Sequence, residues 1–210
     1  AGAERGMSAI LYIISAPSGS GKSTLVSELR KSVPGLEFSI SYTTRKPRGS
    51  ELDGREYYFV SREEFERMLK ADEFLEHADV FGNYYGTARR FLREAEERGH
   101  DLLLDIDVQG ARQMKQKHPQ AVSIFILPPS RTELEKRLRR RSEAEKMRSE
   151  EVIQRRLTTA GREIENYPSY DYILINDRLE QSIDTLKAIV LCERAKHSGK
   201  TPTARERTMM

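Results

Sequence analysis

Cysteine is almost missing from this chain of 210 residues: Cys192 stands alone. No internal disulfide can form, so a reducing compartment is expected. Cys192 falls on a helical pattern and reads as a small core or surface residue. Long apolar runs are missing too. Nothing approaches the length of a membrane span or of a signal-peptide core, so the expectation is a cytoplasmic protein with no membrane partner. Nor is there a large excess of one charge. Lys and Arg number 36 against 33 Asp and Glu, a net +3, which excludes a polycation built for nucleic acid. No internal repeat or low-complexity segment is evident. The 4 histidines, at 77, 100, 118 and 197, are scattered, and none is assigned to catalysis.

What is present begins with Ala16-Pro17-Ser18-Gly19-Ser20-Gly21-Lys22-Ser23-Thr24. It follows the apolar run Ile10-Leu11-Tyr12-Ile13-Ile14 and precedes a helical pattern with Leu25, Leu29 and Val33 on one face. Strand, glycine-rich loop and helix opening on Lys-Ser form the arrangement of a phosphate-binding loop. Gly19 and Gly21 let successive N–H groups turn inward toward an anion. Lys22 adds a point charge, and the helix N-terminus adds its dipole. Ser23 offers a hydroxyl suited to a magnesium ion bridging phosphates. Ala16 stands where the strict pattern has glycine. The alternative, a flexible Gly/Ser turn before an ordinary helix, leaves the Lys-Ser pair unexplained. The chain is expected to bind a nucleoside polyphosphate.

A length of 210 residues leaves room for one substantial core and a small appended lobe, and hydrophobic content of 37% with charged content of 33% suits large solvated or ligand-facing surfaces. The pattern predicts a strand over 10–15 and a helix over 22–32, closed by Pro34-Gly35. From 38 to 87 the grain changes. Short alternating stretches, 38–42 and 57–60, are separated by turns at Lys46-Pro47-Arg48-Gly49 and Asp53-Gly54. A helix over 62–71, a stretch over 74–81 and a turn at Gly82-Asn83 follow. Five of the 9 tyrosines fall between 42 and 85. This reads as a mixed lobe inserted into an α/β core. Beyond it come a helix over 88–98, a strand ending in Asp105-Ile106-Asp107, a helix over 108–117 and a strand over 121–127. A basic helical stretch over 131–162, a strand over 172–176 and a helix over 179–196 complete the pattern.

The expected fold class is α/β: a parallel sheet of the P-loop NTPase type flanked by helices, with an inserted lobe and a helical lid. The core takes 10–37, 88–130 and 163–197, the lobe 38–87 and the lid 131–162. Residues 1–9 form a disordered extension running into the first strand, and 198–210 a polar, frayed tail. Ligands of such a sheet lie at the carboxyl ends of its strands. The aspartates at 105 and 107 can therefore meet metal or substrate there, Asp105 directly or through water, or they can simply cap the next helix. In the lobe, Arg45 and Arg48 flank Pro47 and can fork one phosphate, with a tyrosine hydroxyl as a further donor.

These motifs resemble guanylate kinase, which phosphorylates guanosine monophosphate (GMP) from ATP. The resemblance runs from Ile10 to about Lys196. It rests on Ser41-x-Thr43-Thr44-Arg45-x-Pro47-Arg48, on Gly82-Asn83-Tyr84-Tyr85-Gly86, and on Leu104-Asp105-Ile106-Asp107-x-Gln109-Gly110. It implies ATP and GMP as partners, magnesium as cofactor and a place in purine nucleotide metabolism and GMP recycling, for a monomer or homo-oligomer. Residues 16–24 and Asn176 would bind ATP, and Ser23 with Asp105 the metal. Arg45, Arg48, Tyr57 and Tyr85 would hold the monophosphate, with Glu51 and Gly86 beside it. Ser41, Glu76, Thr87 and Asp107 would read the guanine, and Asp105 would also belong to the GMP site. Lys22, Arg45, Arg137, Arg141 and Arg156 would surround the transferring group.

Physical chemistry supports these roles. Guanine offers N1–H and an N2 amine side by side, which a carboxylate such as Glu76 accepts; adenine has no N1–H. Ser41 can donate to O6. The acceptor phosphate has a second pKa of about 6 and is largely dianionic near neutrality, so no general base is required. The basic stretch is interleaved with glutamates and lacks aromatic stacking partners, which favours a closing lid over a nucleic-acid surface. Two departures stand out: the charged run after Ser142, which reads as a small insertion at the lid tip, and Asn176-Asp177-Arg178, where the family often has a second aspartate. A non-catalytic binding module of the same fold is disfavoured by the intact Lys22. A kinase of a phosphorylated ribose is disfavoured by Ser41, Glu76 and Asp107.

Overall fold

A computed structural model describes residues 9–144 and 149–197. The expected N-terminal extension, residues 145–148 of the charged run and the tail from 198 lie outside the described residues. Among these, the strands form two sheets.

The larger sheet is wholly parallel, in the order β2 (Leu36–Phe38), β7 (Asp101–Asp105), β1 (Leu11–Ser15), β8 (Val122–Leu127), β9 (Tyr172–Ile175). Every residue of β1 is buried. The strand reads as an unbroken apolar run because helices cover both faces. Tyr12 and Ile14 point to one side, toward α1 (Lys22–Ser32) and α7 (Leu179–His197). Leu11 and Ile13 point to the other, toward α3 (Arg89–Arg98) and α4 (Val108–Lys117). The chain leaves β1 outward to β2, returns through β7, then crosses to β8 on the far side of β1. That reversal puts the carboxyl end of β1 at the switch point where such sheets bind ligands.

α1 follows the pattern read from its sequence. Leu25, Leu29 and Val33 are buried, and Arg30 and Lys31 occupy the last turn, where they complement the dipole. Pro34 holds Val33 in extended backbone and stops the helix.

The smaller sheet belongs to the inserted segment, in the order β4 (Tyr58–Phe59), β3 (Tyr42–Thr43), β6 (Asn83–Ala88), β5 (Phe74–Val80). Helix α2 (Arg62–Lys70), capped by the Ser61 hydroxyl, buries Phe65 and Met68 against Phe74.

Two expectations are corrected here. The stretch 38–42 is not one lobe strand: Leu36–Phe38 pairs with β7 in the core sheet, and only Tyr42 begins the lobe sheet. The turn is not Gly82-Asn83. Phe81 and Gly82, both at positive φ, form a two-residue hairpin loop, and Asn83 opens β6. The basic stretch divides into α5 (Arg131–Ala144) and α6 (Glu150–Ile164), joined by a small core of Leu134, Leu138, Ile153, Leu157 and Ala160. Cys192 is exposed on α7.

Candidate active site

The loop after β1 turns into α1 through Gly21, whose φ of +83° is left-handed. A side chain there would also reach to 2.5 Å from the Asn176 amide. Both the turn and the packing therefore require glycine. Ser20 folds back on Pro17, donating through N–H and hydroxyl to its carbonyl. The Ser20 carbonyl in turn accepts from Asn176 Nδ2 at 2.8 Å and from Arg137 at 3.3 Å. Asn176 is thus a brace of the loop, and Arg137, held by Glu133 at 2.9 Å, reaches the loop from α5. Arg141 of the same helix lies 3.5 Å from the Ser18 hydroxyl. Pro17 is buried and Ala16 packs against the core, while Ser23 and Thr24 are exposed in the first turn of α1.

Lys22 opens α1 and pairs with Asp105, the last residue of β7. Burial works against its charge, but the Asp105 carboxylate outweighs burial and holds its pKa above the ordinary amine value. Ser23 and Asp105 are the donors available for a metal. Among the described residues no cluster of three or more acidic, histidine or cysteine side chains could hold one. A hydroxyl and one carboxylate, with phosphates and water as the other ligands, is the donor set magnesium takes in phosphoryl-transfer sites. These residues fit that ion.

On the lobe sheet a buried Arg45 forms the second centre. Its guanidinium is bidentate to Glu51, at 2.9 and 3.0 Å, and donates to the Tyr85 hydroxyl at 3.2 Å. Tyr57 lies under it, 5.3 Å from ring centroid to guanidinium, and meets Tyr85 edge to face. Burial opposes ionisation of Glu51, yet Arg45 outweighs it and holds the carboxyl below its ordinary value. Glu51 also accepts from the Arg48 backbone at 2.7 Å. Glu51 therefore orients Arg45 and folds the loop carrying Arg48, whose side chain is exposed. Gly86 is likewise explained by packing, since a side chain there would run into Phe74 and Phe65.

Glu76 of β5 is 2% exposed and faces Thr87 across the hairpin. Burial pushes its pKa up to about 7, against the nearby Thr87 and reinforced by the Asp107 charge. The Thr87 hydroxyl is itself buried without a hydrogen bond among the described residues. Asp107 caps α4, accepting from the Gly110 N–H at 2.9 Å. The capping alternative therefore holds for one of its oxygens. Ser41 is half-buried, one residue before β3, and its carbonyl accepts from the Tyr58 N–H.

The structure thus brings together Lys22 with Asp105, Arg45 with Tyr57, Tyr85 and Glu51, and Glu76 with Thr87 and Asp107. Arg156 donates to the Ser142 hydroxyl at 3.0 Å. Arg139, part of the same basic stretch, bridges Glu135 and Glu150 and ties α5 to α6. Sequence reasoning missed Glu163 of α6. Its Oε2 is buried without a hydrogen bond among the described residues, and burial raises its pKa against the pull of Lys22 and the Ser18 backbone. Nothing local marks it, because its place depends on how α6 docks against the loop.

A phosphate loop at the switch point of a parallel sheet, beside a second sheet presenting an arginine, tyrosines and a buried carboxylate, defines a kinase of the P-loop NTPase-like fold. The guanylate kinase family model matches residues 8–193. The chain belongs to the guanylate kinase family. A guanylate kinase of Koribacter versatilis (strain Ellin345) is 65% identical over 193 residues, spanning 92% of this chain and 82% of that one. One from Escherichia coli (strain K12) is 49% identical over 190 residues, 90% of each chain. The crystal structure of guanylate kinase from Anaplasma phagocytophilum aligns with a TM-score of 0.73 at 36% identity, covering 93% of this chain and 89% of that one.

Proposed function

We propose that this chain transfers the γ-phosphoryl group of ATP to GMP, giving ADP and GDP. The observation that carries the choice of acceptor is Glu76: a carboxylate 2% exposed, with no ion pair among the described residues. A buried carboxylate without a cation needs hydrogen-bond donors. Guanine supplies two of them side by side, N1–H and the N2 amine. Thr87, with its unsatisfied hydroxyl, Ser41 and the second oxygen of Asp107 complete the base site in this reading.

The monophosphate lies against Arg45, with Tyr57, Tyr85 and Arg48 around it. Its dianionic oxygen attacks the γ-phosphorus, the bond to the β–γ bridging oxygen breaks, and ADP leaves with that electron pair. No proton needs to be removed first. Lys22 and the loop N–H groups hold the donor phosphates. Arg137 and Arg141 approach from α5, and Arg156 joins when the lid, 131–162, closes over the lobe, 38–87. Closure excludes water, to which the phosphoryl group would otherwise pass. A magnesium ion held by Ser23, and by Asp105 through water, would neutralise charge on the β and γ phosphates. Asn176, at the loop, borders the adenine side. The reading places the enzyme in the cytoplasm, in purine nucleotide metabolism and GMP recycling.

A coupled assay with ATP, magnesium and each nucleoside monophosphate tests it. GMP is expected to turn over faster than AMP, CMP or UMP by about a hundredfold or more. Comparable rates on AMP, or no turnover on any acceptor, would sink the assignment.

A further inference from the structure

β5 is an edge strand: it pairs with β6 on one side only. The backbone groups of Leu75, His77 and Asp79 point outward, to the side with no strand. An uncovered edge invites pairing with other chains and is normally covered or charged. Here α4 covers it through side chains. Gln109 donates to the Asp79 carbonyl at 3.2 Å. Gln113 donates to the His77 carbonyl at 2.6 Å and accepts from its N–H at 3.2 Å. Lys117 donates to the Leu75 carbonyl at 2.8 Å. These three residues are spaced by four on the helix and meet backbone groups spaced by two on the strand. The steps nearly match, about 6 Å along a helix and 6.8 Å along a strand. The helix stripe acts as a surrogate strand.

Between these rungs lies Gly110. A Cβ on it would overlap Glu76 Oε2 and come within 3.1 Å of Glu76 Cδ. Its backbone is not in the left-handed region. Conformation therefore does not require glycine here, and only the close approach of Glu76 does. The same helix is capped by Asp107, so one rigid element fixes both carboxylates.

We propose that the α4 stripe of Gln109, Gly110, Gln113 and Lys117 is the positioning element for acceptor specificity, setting the Glu76 carboxylate against the guanine edge. The proposal rests on the reading of Glu76 as the base-binding carboxylate. Gly110 leaves the space the carboxylate occupies, and the rungs hold its strand at the required depth. None of these side chains needs to touch the substrate.

The test compares Gly110→Ala, Gln113→Leu and Glu76→Gln with the unaltered enzyme, using GMP, inosine monophosphate (which lacks the N2 amine) and AMP. Gly110→Ala places a good helix former in a helix, so folding is not at risk on that ground; Gln113→Leu keeps the side chain's bulk. Both are expected to raise KM for GMP and to lower GMP preference, Gly110→Ala by about a hundredfold and Gln113→Leu by about tenfold. KM for ATP and the melting temperature stay near the unaltered values. A uniform loss of kcat on every acceptor would reduce the stripe to a structural support and overturn the proposal. If Glu76→Gln destroys GMP preference while both α4 variants keep it, the positioning role falls and the base-reading role stands. If Glu76→Gln changes nothing, the base reading falls and the positioning role falls with it.

Discussion

Lys22→Ala is expected to lower turnover about a thousandfold while leaving the fold intact. Removing one preorganised donor from a developing negative charge costs about 10²–10³ in rate. Lys22 carries a full charge at the start of α1, where the helix dipole adds to it, so the upper end of that range applies. Its effect on stability runs differently. The Lys22 amine pairs with Asp105, but both side chains retain partial exposure, 22% and 34%. A pair in that setting contributes about 1 kcal/mol or less. The Asp105 carboxylate left behind can still meet water. Steady-state turnover with ATP and GMP, alongside a thermal melt, separates the two effects. Turnover within tenfold of the unaltered enzyme would remove Lys22 from the mechanism.

Glu76→Gln is expected to lower kcat/KM for GMP by about 10²–10³ and to leave activity on AMP nearly unchanged. A glutamine keeps one acceptor but turns an amide N–H toward a guanine donor, which loses a charge-assisted pair and leaves a buried group unsatisfied. A pH profile gives a second signature. With Glu76 pushed up to about 7, its ionised form, the one that accepts from guanine under the proposed function, grows as pH rises through neutrality. The kcat/KM for GMP should climb through that range and then level. The second ionisation of GMP falls nearby, at about pH 6, but it is common to both proteins. The limb missing from Glu76→Gln is therefore the one that belongs to Glu76.

Stability should move the opposite way. The folded chain holds Glu76 at a raised pKa, so folding favours its protonated form. In the unfolded chain it ionises near 4.5. The contribution is fully present below about pH 4.5 and is lost as pH rises through about 7. Above that the ionised carboxylate costs the free enzyme about 3 kcal/mol. Glu76→Gln should therefore melt higher than the unaltered enzyme at pH 8, with the difference fading toward pH 5. Equal melting at both pH values would show that the buried carboxylate carries no such cost. A group that destabilises the empty enzyme and is relieved by its substrate is the stability–function trade expected of a specificity site.

How much of this could be read from the chain differs element by element. The bounds of α1 and α4 coincide with those read from the sequence, because apolar spacing, Pro34-Gly35 and the Asp107 cap are local signals. The phosphate loop was equally legible, since glycine at positive φ followed by Lys-Ser is a backbone demand written in consecutive residues. The family motifs supplied the residues that the proposed function sets around the acceptor. The strand Leu36–Phe38 leaves no signal in the sequence because three residues are too few for any period to show, and only pairing with β7 puts Phe38 in the core sheet rather than in the lobe. The bidentate contact of Glu51 with Arg45 is invisible in the sequence, because the pair meets only once the loop between them has folded.

The sequence by itself determined the parallel α/β core, the nucleotide-binding loop and the residue types gathered for a second nucleotide, because each depends on interactions within one turn or one strand. Tertiary structure alone decided that Glu76 is buried, that Gly110 leaves room for it, that Gln109, Gln113 and Lys117 cover the edge of β5, and that Glu163 docks beside Lys22. These contacts join residues tens of positions or more apart in the chain. Burial, close approach and edge pairing are properties of surfaces that meet only after the chain has folded, and no local pattern encodes which surfaces those will be.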